Sequence, residues 1–177
     1  MIAGIAGAAV VRSETAHAAS ARELNTDANE ALRTLYATQP KARVLATGAK
    51  GILIFPKIIK AGLIIGGQSG DGVLWVDGHA RGYYNISAAS FGLQAGAQSF
   101  SYALFFITDK SLDYLQRSDG WAIGTGPSVV VVDKSAAASL TSTTLSQDVY
   151  AFPFGGRGLM AGIGLEGSKI TRIHPGA

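Results

Sequence analysis

Residues 51–86 read GILIFPKIIKAGLIIGGQSGDGVLWVDGHARGYYNI, and this stretch decides which fold the chain can adopt. The apolar residues 51–55 predict a buried strand, which Pro56 closes because proline cannot donate to a central ladder. After a break at residues 57–60, the apolar residues 62–66 predict a second strand. The beginning of this region therefore predicts β-structure.

The second part of the same stretch predicts a hairpin. Residues 69–72, Ser-Gly-Asp-Gly, are interpreted as a turn that leads into a strand at 73–76. Asp77-Gly78 is typical of a tight hairpin turn, and it leads into a strand at 79–86. Several short strands that follow one another in this way favour antiparallel pairing.

Glycine is unusually frequent, with 23 of 177 residues, against an average share of roughly 7%. Residues 91–99 and 159–165 alternate with period two, and small or polar residues, including Gly162 and Gly164, occupy one face. Glycine within strands marks sharp bends or close backbone approach, as in a small curved sheet. We therefore expect an α+β fold with a glycine-rich antiparallel β-barrel core and about three short helices packed on its outside.

The predicted helices have recognisable ends. Ser20 and Glu23 form a capping-box sequence, and apolar residues then recur at helical spacing, which predicts a helix over residues 21–37. Two shorter helices are also predicted, one from Pro40 to Gly48 and one over 110–116 with Asp109 as its N-cap. Together with the strands, these helices predict a single domain over residues 21–177.

The first 20 residues are interpreted as a leader. Residues 2–11 form an apolar run of signal-peptide length, too short to span a bilayer as a helix, and Ala16-His17-Ala18 fits a signal-peptidase site. A truncated export signal would place the protein in the periplasm or peripherally at the outer membrane, without a transmembrane helix. A cloning remnant or a disordered tail is the alternative interpretation.

The sequence offers little support for catalysis. Residues 162–167 spell a Gly-x-Gly-x-x-Gly motif, but a dinucleotide site needs a βαβ unit, and only ten residues follow. No nucleophile elbow or phosphate loop occurs, and His17, His79 and His174 are not spaced as metal ligands. With no cysteine, thiolate chemistry is excluded. We expect a protein that is not an enzyme and has no cofactor or metal site.

Positive charge is concentrated in residues 31–70, which contain six Lys or Arg residues and no Asp or Glu. This segment is a candidate anion-facing surface. Within it, Ile58 and Ile59 lie between Lys57 and Lys60, as in loops that insert at a membrane interface while lysines contact phosphates. The alternative is that both isoleucines begin the next core strand.

A second candidate loop comprises residues 150–157, where Phe152 and Phe154 flank a proline and Arg157 follows two glycines. The two phenylalanines would insert and the arginine would meet a headgroup. The alternative interpretation is a strand-turn-strand corner packed by its aromatic side chains.

Three ordered segments resemble a known family. The first is KGILIFPK at 50–57 with the glycines that follow it, the second is FGLQAGAQ at 91–98, and the third comprises DVYAF at 148–152, RGLMAG at 157–162 and LEG at 165–167. Together they resemble the SYLF domain family over about residues 22–172.

The resemblance implies a non-catalytic lipid-binding module with a β-barrel core, with phosphoinositides as the best-known ligands and actin-related binding in some eukaryotic members. Family members bind lipid through basic segments near the start of the domain, a region that here contains Lys41, Arg43, Lys50, Lys57 and Lys60. The expected partner is an anionic phospholipid membrane, not nucleic acid. The alternative is a structural or protein-interaction module of the bacterial envelope. The lipid headgroup is left open.

Overall fold

The computed structural model describes residues 20–62, 65–91, 97–132, 140, 145–156, 165 and 167–176. Several predictions fall wholly or partly on other residues. The leader before residue 20, the predicted strand at 159–165 except for Leu165, and Arg157 lie outside the described residues, as do residues 63–64 of the predicted strand at 62–66 and residues 92–96 of the predicted strand at 91–99.

Two helices precede the sheet: α1 spans Ala21–Thr38 and α2 spans Lys41–Gly48. The predicted capping box of α1 is confirmed, because the Glu23 amide donates to the Ser20 hydroxyl at 3.2 Å and the Ser20 amide donates to the Glu23 carboxylate at 3.4 Å. The predicted α2 is also confirmed. No helix in the described part of the chain is long and apolar enough to cross a membrane.

The third helix, α3, spans Asp109–Arg117, and its predicted N-cap was wrong by one residue. Thr108 is the cap, and its hydroxyl accepts a hydrogen bond from the Ser111 amide at 3.2 Å. Asp109 instead occupies the first turn, where its negative charge interacts favourably with the helix dipole.

In the described part of the chain, eight strands form one sheet in the order β5-β8-β3-β2-β1-β4-β7-β6. The strands are β1 Gly51–Gly62, β2 Ile65–Val76, β3 His79–Phe91, β4 Ala97–Phe106, β5 Gly120–Ala122, β6 Val129–Val131, β7 Val149–Phe154 and β8 Lys169–Ile173. The α+β class and the curved sheet flanked by three helices are confirmed.

The sheet differs from a wholly antiparallel barrel in two ways. β6 pairs with β7 in parallel, whereas the other neighbours are antiparallel. Among the described residues, β5 and β6 are the two ends of the strand order and do not pair with each other. The curved sheet is therefore an open half-barrel and not a closed barrel. Both end strands have only three residues, and so short a strand offers few groups for a closing ladder.

The predicted break at residues 57–60 was wrong, because β1 continues through it. Phe55 pairs with Tyr102 and Ile58 pairs with Phe100, so β1 has one residue more than β4 in this interval. This extra residue is a β-bulge, and a bulge tolerates Pro56 in a strand with two neighbours because the ladder is locally interrupted. The chain therefore bends at Pro56 without leaving the sheet.

The predicted turn at residues 69–72 was also wrong, since these residues lie within β2 opposite the bulge. A Cβ at residue 70 would be 2.5 Å from the Lys57 carbonyl oxygen, and a Cβ at residue 72 would overlap with the Ile54 carbonyl. Glycine is present here because the bent β1 backbone approaches β2 closely, and not because the chain reverses direction.

The Asp77-Gly78 turn is confirmed. Both residues have positive φ, 52° and 76°, as a type I′ turn requires, and Val76 pairs with His79 across it.

Two apolar clusters cover the two faces of the sheet. On the face that α1 and α2 cover, here called the helix face, Leu35 and Leu45 pack with Ile54 and Phe105. On the opposite face, α3 contributes Leu115 to a cluster that includes Phe55, Ile58, Leu74, Tyr102, Leu104, Phe106 and Trp121. Residues alternate between the clusters along each strand, so both faces of the sheet are core.

Candidate functional site

Three of the predicted insertion residues are buried. Ile58, Phe152 and Phe154 are 0%, 1% and 6% exposed, and each belongs to a core cluster. The prediction that they lie on exposed loops was wrong, because the prolines beside them sit inside strands β1 and β7. Only Ile59, at 39%, presents a large apolar side chain as predicted.

Proline does not end β7, because only one side of its last residues is paired. β6 pairs with residues 149–151, whereas Pro153 pairs with Tyr102 of β4 alone. Proline is tolerated where no neighbour requires its missing N–H. Phe152 and Phe154 can therefore continue the strand and pack on the helix face.

Three of the predicted cations lie on or just after α2 and form what we call the α2 basic group: Lys41, Arg43 and Lys50. All three are exposed. The Lys41 ammonium is 3.5 Å from the Leu140 carbonyl oxygen, and the Arg43 guanidinium lies 5.2 Å from the centre of the Tyr36 ring. Burial raises the pKa of Tyr36, and the charge of Arg43 opposes this increase.

Lys57 lies in a different environment, in a groove of about 350 Å³ between α1 and the bulge. Asp27 and Glu30 of α1 line the same groove, although neither forms an ion pair with Lys57 within the described residues. Residues 31–70 contain no acidic residue, but in the folded protein Lys57 of this segment shares a groove with two acidic residues of α1. This reduces the net positive potential around Lys57.

Lys60 is separated from the α2 basic group by almost the whole of β1. Lys60 follows Lys50 by ten positions, which at about 3.3 Å per residue corresponds to at most roughly 33 Å along the bent strand. Lys60 alternates with Ile59 and therefore lies on the same sheet face as Ile58, whereas Lys57 faces α1. The structure does not bring the five predicted cations together into one site.

A cavity of about 360 Å³ lies beside the α2 basic group. Its lining includes Asn29 and Leu32 of α1, Lys50 and Ile52 at the start of β1, and Trp75 and Asp77 at the end of β2. It combines apolar walls with one exposed cation and one exposed carboxylate.

Trp75 is the residue of this cavity that sequence analysis missed. Its indole Nε1 is buried and has no hydrogen-bond partner, whereas Nε1 of Trp121 donates to the Thr125 carbonyl at 2.8 Å. A signal was present in the sequence, because alternation with Leu74 places Trp75 on the face that α1 covers. The missing partner could not be predicted, because it depends on which groups surround the ring.

Asp148 organises the loops next to α3. Its carboxylate accepts hydrogen bonds from the Thr108 hydroxyl and from both the amide and the hydroxyl of Ser128, each at 3.1 Å. The backbone hydrogen bond from Ser128 is the main cause that lowers the pKa of Asp148. Because these bonds join β6, β7 and the α3 cap, we assign Asp148 a structural role.

On the opposite side of the sheet, the guanidinium group of Arg172 is engaged in contacts within the protein. One guanidinium nitrogen donates to the Tyr84 hydroxyl and to the Gln116 carbonyl, both at 2.9 Å, and the group lies over the Tyr84 ring. These contacts tie β8 to β3 and to the end of α3. Arg172 is therefore less available to an external anion than the α2 basic group.

Comparison with known proteins gives one match. Residues 87–174 match the family model described as Ysc84: Las17-binding protein actin regulator, which represents the SYLF domain. No curated protein matches the chain. The second and third SYLF-like segments fall within the matched residues, whereas the segment at 50–57, the α2 basic group and the cavity precede them.

Proposed function

We propose that this chain, a member of the SYLF family by its match over residues 87–174, is a non-catalytic peripheral membrane module that binds anionic phospholipid headgroups. The contact surface is the α2 basic group, Lys41, Arg43 and Lys50, with the cavity beside it. The family supports a lipid-binding or actin-regulatory module, and the assignment to this surface is our own.

The observation that carries the proposal is the position of these cations. α2 is a short helix whose buried residues, Ala42 and Leu45, anchor it on the sheet, and Lys41 and Arg43 are left exposed on its outer side. No acidic residue occurs in α2. A cation near an anionic membrane surface contributes about 1 kcal/mol, so three cations suffice for reversible binding but not for irreversible attachment.

Lys57 and Lys60, towards the other end of β1, contribute less to the proposed membrane contact. Lys57 shares its groove with Asp27 and Glu30, and Lys60 lies on the other face of the sheet. We do not expect a membrane that contacts α2 to contact Lys60 as well, because Lys60 lies on the sheet face opposite α2. We therefore expect these two lysines to contribute mainly to long-range attraction.

The experiment is co-sedimentation with vesicles that contain or lack anionic phospholipid, at two salt concentrations. Binding only to anionic vesicles, weaker at high salt, is expected because salt screens exposed charges beyond about 10 Å at 0.1 M ionic strength. Equal binding to neutral vesicles, or none to anionic ones, would refute the proposal.

The second candidate is a protein-interaction module, which the description of the matched family favours because it names an actin regulator. The edge strand β6 carries Val130 and Val131, each 38% exposed, and exposed strand edges can pair with a partner. Co-sedimentation with filamentous actin tests this alternative directly. Binding to actin without binding to anionic vesicles would favour it over the lipid proposal.

A further inference from the structure

The indole N–H of Trp75 is unusual because it is buried and has no hydrogen-bond partner among the described residues. Among the described residues, only Trp75 Nε1 and the Ser168 hydroxyl are buried side-chain polar atoms without a hydrogen-bond partner. Buried donors are nearly always bonded, because an unpartnered donor loses its hydrogen bond to water. An indole N–H that is buried without an acceptor among the described residues is free to bond to an acceptor from a ligand.

The cavity beside Trp75 is suited to supply that acceptor. Asn29 and Lys50 offer further donors at its wall, and Leu32 and Ile52 offer apolar surface. Nε1 itself is covered, so the proposed contact requires a local rearrangement of the cavity wall when the ligand binds. The set of donors is suited to an oxyanion that carries an apolar portion.

The charges of the cavity limit which oxyanion fits. Lys50 contributes one positive charge and Asp77 one negative charge. A phosphate monoester carries between one and two negative charges near neutral pH and is repelled by Asp77. A phosphodiester carries a single charge, and a hydroxyl or ammonium group on its headgroup can donate to the Asp77 carboxylate.

We infer that this cavity binds the phosphodiester of one glycerophospholipid headgroup, with the Trp75 N–H and the Lys50 ammonium as donors to phosphate oxygens and Asp77 as acceptor for the polar headgroup. The inference rests on the proposed function and adds to it a defined site and a preference for diesters over monoesters. General attraction by the α2 basic group needs neither Trp75 nor Asp77.

The two tryptophans of the chain provide a matched pair of variants. Trp75→Phe removes an N–H that has no partner among the described residues, so its melting temperature should fall less than that of Trp121→Phe, but its affinity for vesicles of phosphatidylglycerol in a neutral glycolipid should decrease roughly ten-fold or more. Trp121→Phe breaks the hydrogen bond to Thr125 and should lower the melting temperature without changing the affinity.

The outcomes separate the inference from the function on which it rests. If the parent protein binds no anionic vesicle, the proposed function fails. If the parent binds and Trp75→Phe binds equally well, the proposed function stands and the cavity assignment is overturned.

A second measurement covers the case in which Trp75→Phe is unstable. In Trp121→Phe, Trp75 is the sole tryptophan, and its fluorescence should change when phosphatidylglycerol vesicles are added. No change would overturn the assignment. A change in fluorescence with soluble glycerophosphoglycerol but not with vesicles would also overturn the assignment, because the site would then bind a free phosphodiester and not a lipid.

Asp77→Asn tests the preference for a diester without disturbing the turn, since Asn-Gly is favoured in type I′ turns. On vesicles matched for surface charge, the parent should prefer phosphatidylglycerol to phosphatidic acid, and Asp77→Asn should reduce this preference several-fold. A parent that prefers phosphatidic acid, with the same ratio in the variant, would overturn the role of Asp77.

Discussion

Gly72 lies directly against the carbonyl oxygen of Ile54, so closely that any side chain at residue 72 would overlap with it. The contact arises because β1 bulges at Pro56 and its backbone moves towards β2. The Phe55 ring also lies within contact distance of the same position. The curvature of the half-barrel therefore depends on a glycine in one strand that faces a bulge in the other.

This relationship predicts that Gly72→Ala destabilises the protein by about 1–3 kcal/mol, the usual cost of overpacking. The backbone oxygen of Ile54 cannot rotate away as a side chain would. Urea unfolding measures the effect. Gly67→Ala in the same strand is the matched control, because the nearest atom to its new Cβ is 3.7 Å away. Equal unfolding midpoints for the two variants would contradict the close approach.

Ile58 and Ile59 provide a test of burial at neighbouring positions. Ile58→Ala should cost about 2–5 kcal/mol because it leaves a cavity in the core, whereas Ile59→Ala should change stability by no more than about 0.5 kcal/mol. Thermal or urea unfolding distinguishes them. If Ile59→Ala were the more damaging variant, the register of β1 after the bulge would be wrong.

Charge reversal tests which cations face the membrane. Lys41→Glu with Arg43→Glu should weaken binding to anionic vesicles roughly ten-fold or more, since two attractive charges become repulsive. Lys57→Glu with Lys60→Glu changes the net charge equally and should weaken binding less. Circular dichroism checks that both variants fold. A larger loss in the second pair would move the contact surface to the other end of β1.

The Asp148 network predicts a dependence of stability on acid. Because hydrogen bonds from Ser128 and Thr108 lower the pKa of Asp148 in the folded protein, its stabilising contribution is complete above the pKa of the unfolded chain. The contribution is lost as the pH falls through the lower pKa of the folded protein. Asp148→Asn should reduce stability at neutral pH and flatten the decline below about pH 4.

Unfolding midpoints in urea between neutral and acidic pH measure this effect. Asp113→Asn is a suitable control, because Asp113 forms only an exposed pair with Arg117 on α3. Such pairs contribute little to stability. A decline in acid that is the same in Asp148→Asn and in the parent would show that the network does not stabilise the fold.

Short sequence signals were sufficient to predict the helices and one turn. The capping box of Ser20 and Glu23 defines the start of α1, since both hydrogen bonds are made within four residues. Asp77-Gly78 defines the hairpin in the same way, because both residues accept positive φ. The family resemblance also came from the sequence alone, as ordered segments on either side of residue 100.

The burial of Ile58 was decided by the tertiary structure. Residues 56–60 look the same in sequence whether they form a loop or a bulged strand, because proline is compatible with both. What selects the strand is the pairing of β1 on both sides, with the neighbouring β2, where Gly70 leaves room for the bulge, and with the more distant β4.

The sequence predicted only part of the candidate site, and the tertiary structure decided the rest. The sequence by itself determined that residues 31–70 carry an uncompensated positive charge. Only the tertiary structure decided that Lys50 and Lys60 lie far apart, that Asp27 and Glu30 approach Lys57, and that Trp75 borders a cavity with its N–H unpartnered. The physical reason is that an extended strand carries neighbours in sequence away from each other, while packing brings distant segments to the same surface.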